Sequence, residues 1–110
     1  MDHRIQRAVQ FIEANYSKNI SLHDLTKCAN LSESHFLYLF KLEMKLSPAK
    51  YLKRSRIQKA AELLRSNEPV SIKEAMMSVG ITDKSNFTRS FKAVFGVSPR
   101  EYRAGIKEDQ

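Results

Sequence analysis

Apolar side chains recur at helical spacing along nearly the whole chain. Ile5, Ala8, Val9, Ile12 and Tyr16 form one stripe, and Ile57, Ala60, Ala61 and Leu64 form another. Steps of three and four residues bring side chains to one face of an α-helix. Shorter stripes lie between and after them: Leu22, Leu25 and Ala29; Phe36, Leu39 and Phe40; Ile72, Ala75, Met76 and Val79; Phe87, Phe91 and Val94. No segment shows the two-residue alternation of a half-buried strand. The pattern predicts seven helices, at about 4–16, 21–29, 33–44, 48–65, 71–79, 83–95 and 99–107. The fourth should stop near Ser66-Asn67-Glu68-Pro69, since Pro69 disfavours continuation.

Part of the pattern occurs twice. Ser21-x-x-Asp24 aligns with Ser71-x-x-Glu74, and Asn30-Leu31 with Gly80-Ile81. After one inserted residue, Phe36-x-x-x-Phe40-Lys41 aligns with Phe87-x-x-x-Phe91-Lys92, and Ser47-Pro48-x-x-Tyr51 with Ser98-Pro99-x-x-Tyr102. One supersecondary unit is therefore used twice. In each copy a serine followed three residues later by an acid starts a short helix with a capping box. Asn30 and Gly80, the two residue types most tolerant of positive φ, share the slot of a tight turn between crossing helices. A longer helix follows, and a Ser-Pro pair then starts the next, with proline at its first position. The unit is a helix-turn-helix, at 21–44 and again at 71–95.

The 110 residues hold 19 Lys and Arg against 12 Asp and Glu, a formal net charge of +7. Only three glycines and three prolines interrupt them, so disordered, collagen-like and loop-rich β-sandwich chains are excluded. No apolar run approaches the ~18–20 residues of a membrane helix, and no signal-peptide core follows Met1. The expectation is a cytoplasmic domain without a membrane partner. Cys28 is alone, so an internal disulfide is excluded, and it does not combine with His3, His23 and His35 at metal-ligand spacing. No nucleophile and base pair up, no metal set or cofactor motif is present, and no small-molecule site is visible. An enzyme is not expected.

The charge is uneven. Lys41, Lys45, Lys50, Lys53, Arg54, Arg56 and Lys59 face Glu43 alone within 41–59, and Lys84, Arg89, Lys92, Arg100 and Arg103 face Glu101 alone within 84–103. Two basic blocks suit a polyanion met at two places, although most charge runs are simply solvated helix faces. The repeat points to duplex DNA, because a helix-turn-helix inserts its second helix into the major groove. Opposite the buried phenylalanines, the first such helix presents Ser34, Leu37, Tyr38 and Lys41. The second presents Ser85, Thr88, Arg89 and Lys92, with Asn86 at the rim. Arg89 can donate two hydrogen bonds to guanine and Asn86 can serve adenine. Lys41 and Lys92, one turn deeper, suit phosphates. The connecting helix, about 18 residues at ~1.5 Å each, spans roughly 27 Å. One DNA turn is about 34 Å, so two heads on this spacer can reach successive major grooves.

The doubled pattern Ile20-Ser21-Leu22 or Val70-Ser71-Ile72, then S-x-F-x-x-x-F-K and S-P-x-x-Y, resembles the AraC/XylS family of bacterial transcription regulators from about Ile5 to Tyr102. The likeness is strongest at Gly80, Phe87, Arg89, Phe91-Lys92, Phe95-Gly96 and Ser98-Pro99-x-x-Tyr102. It implies an all-α, homeodomain-like domain over 1–110, ordered over about 4–107. Its seven helices would form two helix-turn-helix subdomains joined by a long linker helix at 48–65. It further implies binding to double-stranded promoter DNA, usually with activation, and RNA polymerase as a partner. The residues matching the family's base-reading positions are Ser34, Leu37 and Tyr38 in the first unit and Lys84, Ser85, Asn86 and Arg89 in the second.

The chain departs from the family in places. Tyr38 stands where arginine is common, and Leu37 where serine or glutamine is. These two could meet a thymine methyl and a phosphate, or pack against a neighbouring segment or partner. Lys45 takes a slot where glycine is usual, and a left-handed lysine there would cost about 1–2 kcal/mol. Thr26 and Met76 replace a small alanine. The competing reading is a basic helical protein-interaction module: Leu37 and Tyr38 favour it, while Arg89, Asn86 and the repeat favour DNA. Structured RNA is a further alternative, but the chain lacks the aromatic stacking platforms of RNA modules.

Overall fold

In the computed structural model, which describes residues 1–66 and 70–105, seven helices and no strand form among the described residues. They are α1 (His3–Asn15), α2 (Leu22–Ala29), α3 (Glu33–Met44), α4 (Pro48–Leu64), α5 (Ile72–Ser78), α6 (Lys84–Phe95) and α7 (Pro99–Arg103). The expected starts and ends hold to within a residue or so, except at α7. There the chain leaves the helix after Arg103, and Gly105 takes φ 85° with its N–H on the Tyr102 carbonyl. The rest of the expected last helix, residues 106 and 107, lies outside the described residues, as does Pro69.

Caps explain where the helices begin. Ser21, Ser71 and Ser98 each accept the backbone N–H of the acid three residues on, and Asp24, Glu74 and Glu101 each accept the serine N–H in return. These backbone bonds hold all three carboxyls below the usual carboxylate range. Ser32 and Asp83 cap α3 and α6. Asp2 caps α1 by accepting the Arg4 N–H at 2.8 Å, and the Arg4 guanidinium returns to the same carboxylate at 2.8 Å. That side-chain bond, first among several causes, holds the Asp2 carboxyl far below its usual range. The Asp2 N–H donates to Glu43 Oε1 at 2.9 Å, tying the start of α1 to the end of α3.

The chain divides into two compact units, Met1–Leu52 and Lys53 onward. In the first, Ile5, Ala8, Ile12, Leu25, Ala29, Phe36 and Phe40 form the buried cluster, with Leu39, Tyr51 and Leu52 packed against it. In the second, Ile57, Ala60, Ala61, Leu64, Ala75, Met76, Val79, Phe87 and Phe91 are buried. One expected member of this core is corrected. Val94 is 36% exposed, and Phe95 is the residue that turns inward. Its ring meets Phe91 at 4.8 Å and Tyr102 of α7 at 4.9 Å, and Arg65 lies over the Tyr102 ring at 4.9 Å.

The turns repeat bond for bond. Asn30 (φ 56°) donates to the Lys27 carbonyl and Leu31 to that of Thr26; Gly80 (φ 87°) donates to Met77 and Ile81 to Met76. Only a residue at home with positive φ closes this six-residue loop without strain. After α3 and α6 the pattern recurs with less comfort: Gly96 sits at φ 78° and Lys45 at φ 68°. A lysine has no side-chain group that makes the left-handed region favourable. Lys45→Gly should therefore raise stability by about 0.5–1 kcal/mol, the relieved strain exceeding glycine's entropic cost. Urea denaturation checks this; a midpoint at or below the wild-type value would show that Lys45 is unstrained.

Candidate nucleic-acid interface

A second helix can be read from outside only if the first holds it by one face and leaves the other open. In the first unit Phe36 and Phe40 are fully buried, their rings 5.6 Å apart, and Tyr51 closes on Phe40 at 5.7 Å. The opposite face of α3 consequently stands in solvent. Ser34, Leu37, Tyr38 and Lys41 are all exposed, Tyr38 at 66%, so the four expected residues come together. Leu42, 53% exposed, extends this apolar surface. The helical pattern alone did not mark Leu42, because it lies one step beside the predicted face.

In the second unit Phe87 and Phe91, 5.8 Å apart and fully buried, fix α6 in the same way. Ser85, Arg89 and Lys92 lie exposed on the open side. The other two expected readers stand apart from them. Lys84 is exposed on one flank, lining a groove with Ile72, Lys73 and Met76 of α5 and with Pro99 and Arg100 of α7. Asn86 is half-buried on the other flank, in a recess shared with Lys53 and Arg56 of α4 and the segment Gly80–Asp83. Its Oδ1 accepts a hydrogen bond from Ser90 Oγ at 3.1 Å, and its backbone N–H donates to Asp83 Oδ1 at 3.1 Å. Burial pushes the Arg56 guanidinium pKa down. At ~100° per residue Lys84 falls about 60° to one side of Phe87 and Asn86 about 100° to the other. What each then faces depends on α4, α5 and α7, and periodicity within α6 carries no signal for that.

Among the described residues no group of three or more His, Cys, Asp or Glu side chains could hold a metal ion, and every buried side-chain polar atom has a hydrogen-bond partner. No helix among them is long and apolar enough to cross a membrane. What the two open faces offer is exposed donors on α6 and an exposed aromatic–aliphatic surface with a lysine on α3.

Known proteins share this fold. A family described as a helix-turn-helix domain matches residues 25–105. The lactose operon transcription activator of Staphylococcus xylosus is 37% identical over 99 residues, 90% of this chain and 35% of that protein. The C-terminal domain of AraT, a response regulator from Geobacillus stearothermophilus, superposes with a TM-score of 0.82 at 33% identity, covering 97% of this chain and 90% of that one. A probable AraC family transcriptional regulator from Rhodopseudomonas palustris superposes with a TM-score of 0.88 at 26% identity, covering 96% and 99%. The chain spans about a third of the length of the curated relatives it matches.

Proposed function

Because the chain belongs to this helix-turn-helix family and is the DNA-binding domain of an AraC-type transcription regulator, we propose that α3 and α6 enter two successive major grooves of promoter DNA and that the protein activates transcription in the bacterial cytoplasm. The duplicated helix-turn-helix, with an exposed face on each second helix, carries this reading. Arg89 donates to a guanine edge, and Ser85 contacts the base beside it. On α3, Leu37 meets a thymine methyl, Tyr38 a phosphate, and Ser34 a base edge. Lys41 and Lys92 hold phosphates, which fix register without selecting sequence. Activation follows the S. xylosus relative, named as an activator; contact with RNA polymerase is part of the same proposal.

Salt dependence tests the two-headed reading. If the basic blocks together neutralise about six phosphates, log K falls with log[salt] at a slope of roughly −5. A slope of about −1 to −2 would mean that too few phosphates are met for two heads, and the reading would fail. The exposed Leu37, Tyr38 and Leu42 favour a second reading, in which α3 meets a protein and α6 alone meets DNA. A gel-shift series on duplexes of decreasing length separates the two, since only two-groove binding weakens once the site falls below about 20 base pairs.

A further inference from the structure

A helix lying in the major groove has a sugar–phosphate strand on either side of it, because the groove is about 12 Å wide and a helix with its side chains about 10–12 Å across. The second unit places a cationic recess on each flank of α6. We propose that these recesses are two backbone seats, one for each DNA strand, formed by Lys73, Lys84 and Arg100 on one side and by Lys53, Arg56 and Asn86 on the other. The inference rests on α6 being a major-groove reader and reassigns Lys84 and Asn86 from bases to backbone.

The first seat has an apolar floor of Ile72, Met76 and Pro99 with three cations around it. That combination matches a deoxyribose, whose ring is apolar, carrying its charged phosphate. The nearby carboxylates of Glu74 and Glu101 are each engaged by their own cap serine and do not line the groove. The second seat joins Lys53 and Arg56 to the Asn86 side chain, with Asp83 the one carboxylate lining it. Asp83 is committed to the start of α6 through the Asn86 N–H. Reading adenine would ask Asn86 to accept through Oδ1 and donate through Nδ2 together. Oδ1 already accepts from Ser90, one turn on, which ties the amide oxygen to α6 itself, and the Nδ2 donor suits a phosphate oxygen. Ser85 and Arg89 remain between the seats as the base readers.

Methylphosphonate scanning of a selected duplex is the test. Neutral linkages should weaken binding in two clusters, one on each strand, flanking the bases whose preference Arg89→Ala relaxes. The double change Lys73→Ala with Arg100→Ala should abolish the sensitivity of one cluster, and Lys53→Ala that of the other. Each should cost about tenfold in affinity and reduce the salt slope by roughly one per cation removed, with the selected sequence unchanged. Lys53, Lys73 and Arg100 are exposed, so thermal melting should show the wild-type fold. Clusters confined to one strand, or a change of selected bases in Lys84→Ala or Asn86→Ala as large as in Arg89→Ala, would overturn the two seats while leaving α6 a reader. A wild-type domain that selects no sequence would overturn that reading, and the seats with it.

Discussion

Ala61→Pro should unfold the second unit. Ala61 is 2% exposed, within the stretch of α4 that buries Ile57, Ala60 and Leu64, and its carbonyl accepts the Arg65 N–H at 3.2 Å. Proline at this point removes a helix bond and drives its ring into the carbonyl one turn back, at about 3 kcal/mol or more. The site is also closed, so the ring has no solvent side to turn toward. A small domain has only about 5–15 kcal/mol to lose. The first unit feels the change less directly, since α4 lends it Tyr51 and Leu52 from its opening turn. Urea denaturation followed by circular dichroism reads the loss, and footprinting reads the binding. A variant that kept both the wild-type midpoint and a footprint of wild-type length would show that α4 need not be continuous.

Arg89→Ala should produce the largest loss of sequence preference. The side chain is exposed on the open face of α6, while the helix is held from behind by Phe87 and Phe91. Removing it leaves the packing alone and takes away a fork of donors matched to guanine. The expected cost on the preferred site is about 1–3 kcal/mol, roughly 5- to 150-fold, with relaxed choice at one or two base pairs. Lys41→Ala, at a proposed phosphate position, should weaken all sequences alike. Binding-site selection on wild type, Arg89→Ala, Lys41→Ala and Tyr38→Ala compares them directly. If Tyr38→Ala shifts the selected sequence more than Arg89→Ala does, α3 and not α6 is the main reader.

Much of this molecule is written locally. Helix starts follow from Ser21, Ser71 and Ser98 with their acids. The turns follow from Asn30 and Gly80, and the open faces from the phenylalanines opposite them, all within a few residues of sequence. What could not be read depends on distant partners. The spacing of residues in α6 pointed to Val94 as core, but the Tyr102 ring of α7 draws Phe95 inward instead. Asp2 as a cap fastened to Glu43 links positions 41 residues apart. Lys84 and Asn86 could be placed on α6 but not against what flanks it. Lys73, Arg100, Lys53 and Arg56 join them only through the packing of three other helices. The early end of α7 is the exception, a local signal: Gly105 turns left-handed two residues after Arg103.

The turn bonds that recur fifty residues apart separate what the fold requires from what it leaves to chance. Asn30 and Gly80, Phe36 and Phe87, Phe40 and Phe91 answer to geometry, and few alternatives would serve. Tyr38, Ser85 and Arg89 stand exposed and carry little of the packing. Point mutations at those outward positions are therefore nearly free of folding cost, and they accumulate in one copy without disturbing the other. A single head risks its whole hold on DNA with each change of target. On the two-groove reading a duplicated head removes that risk: one copy keeps its hold while the other explores, and specificity changes by halves.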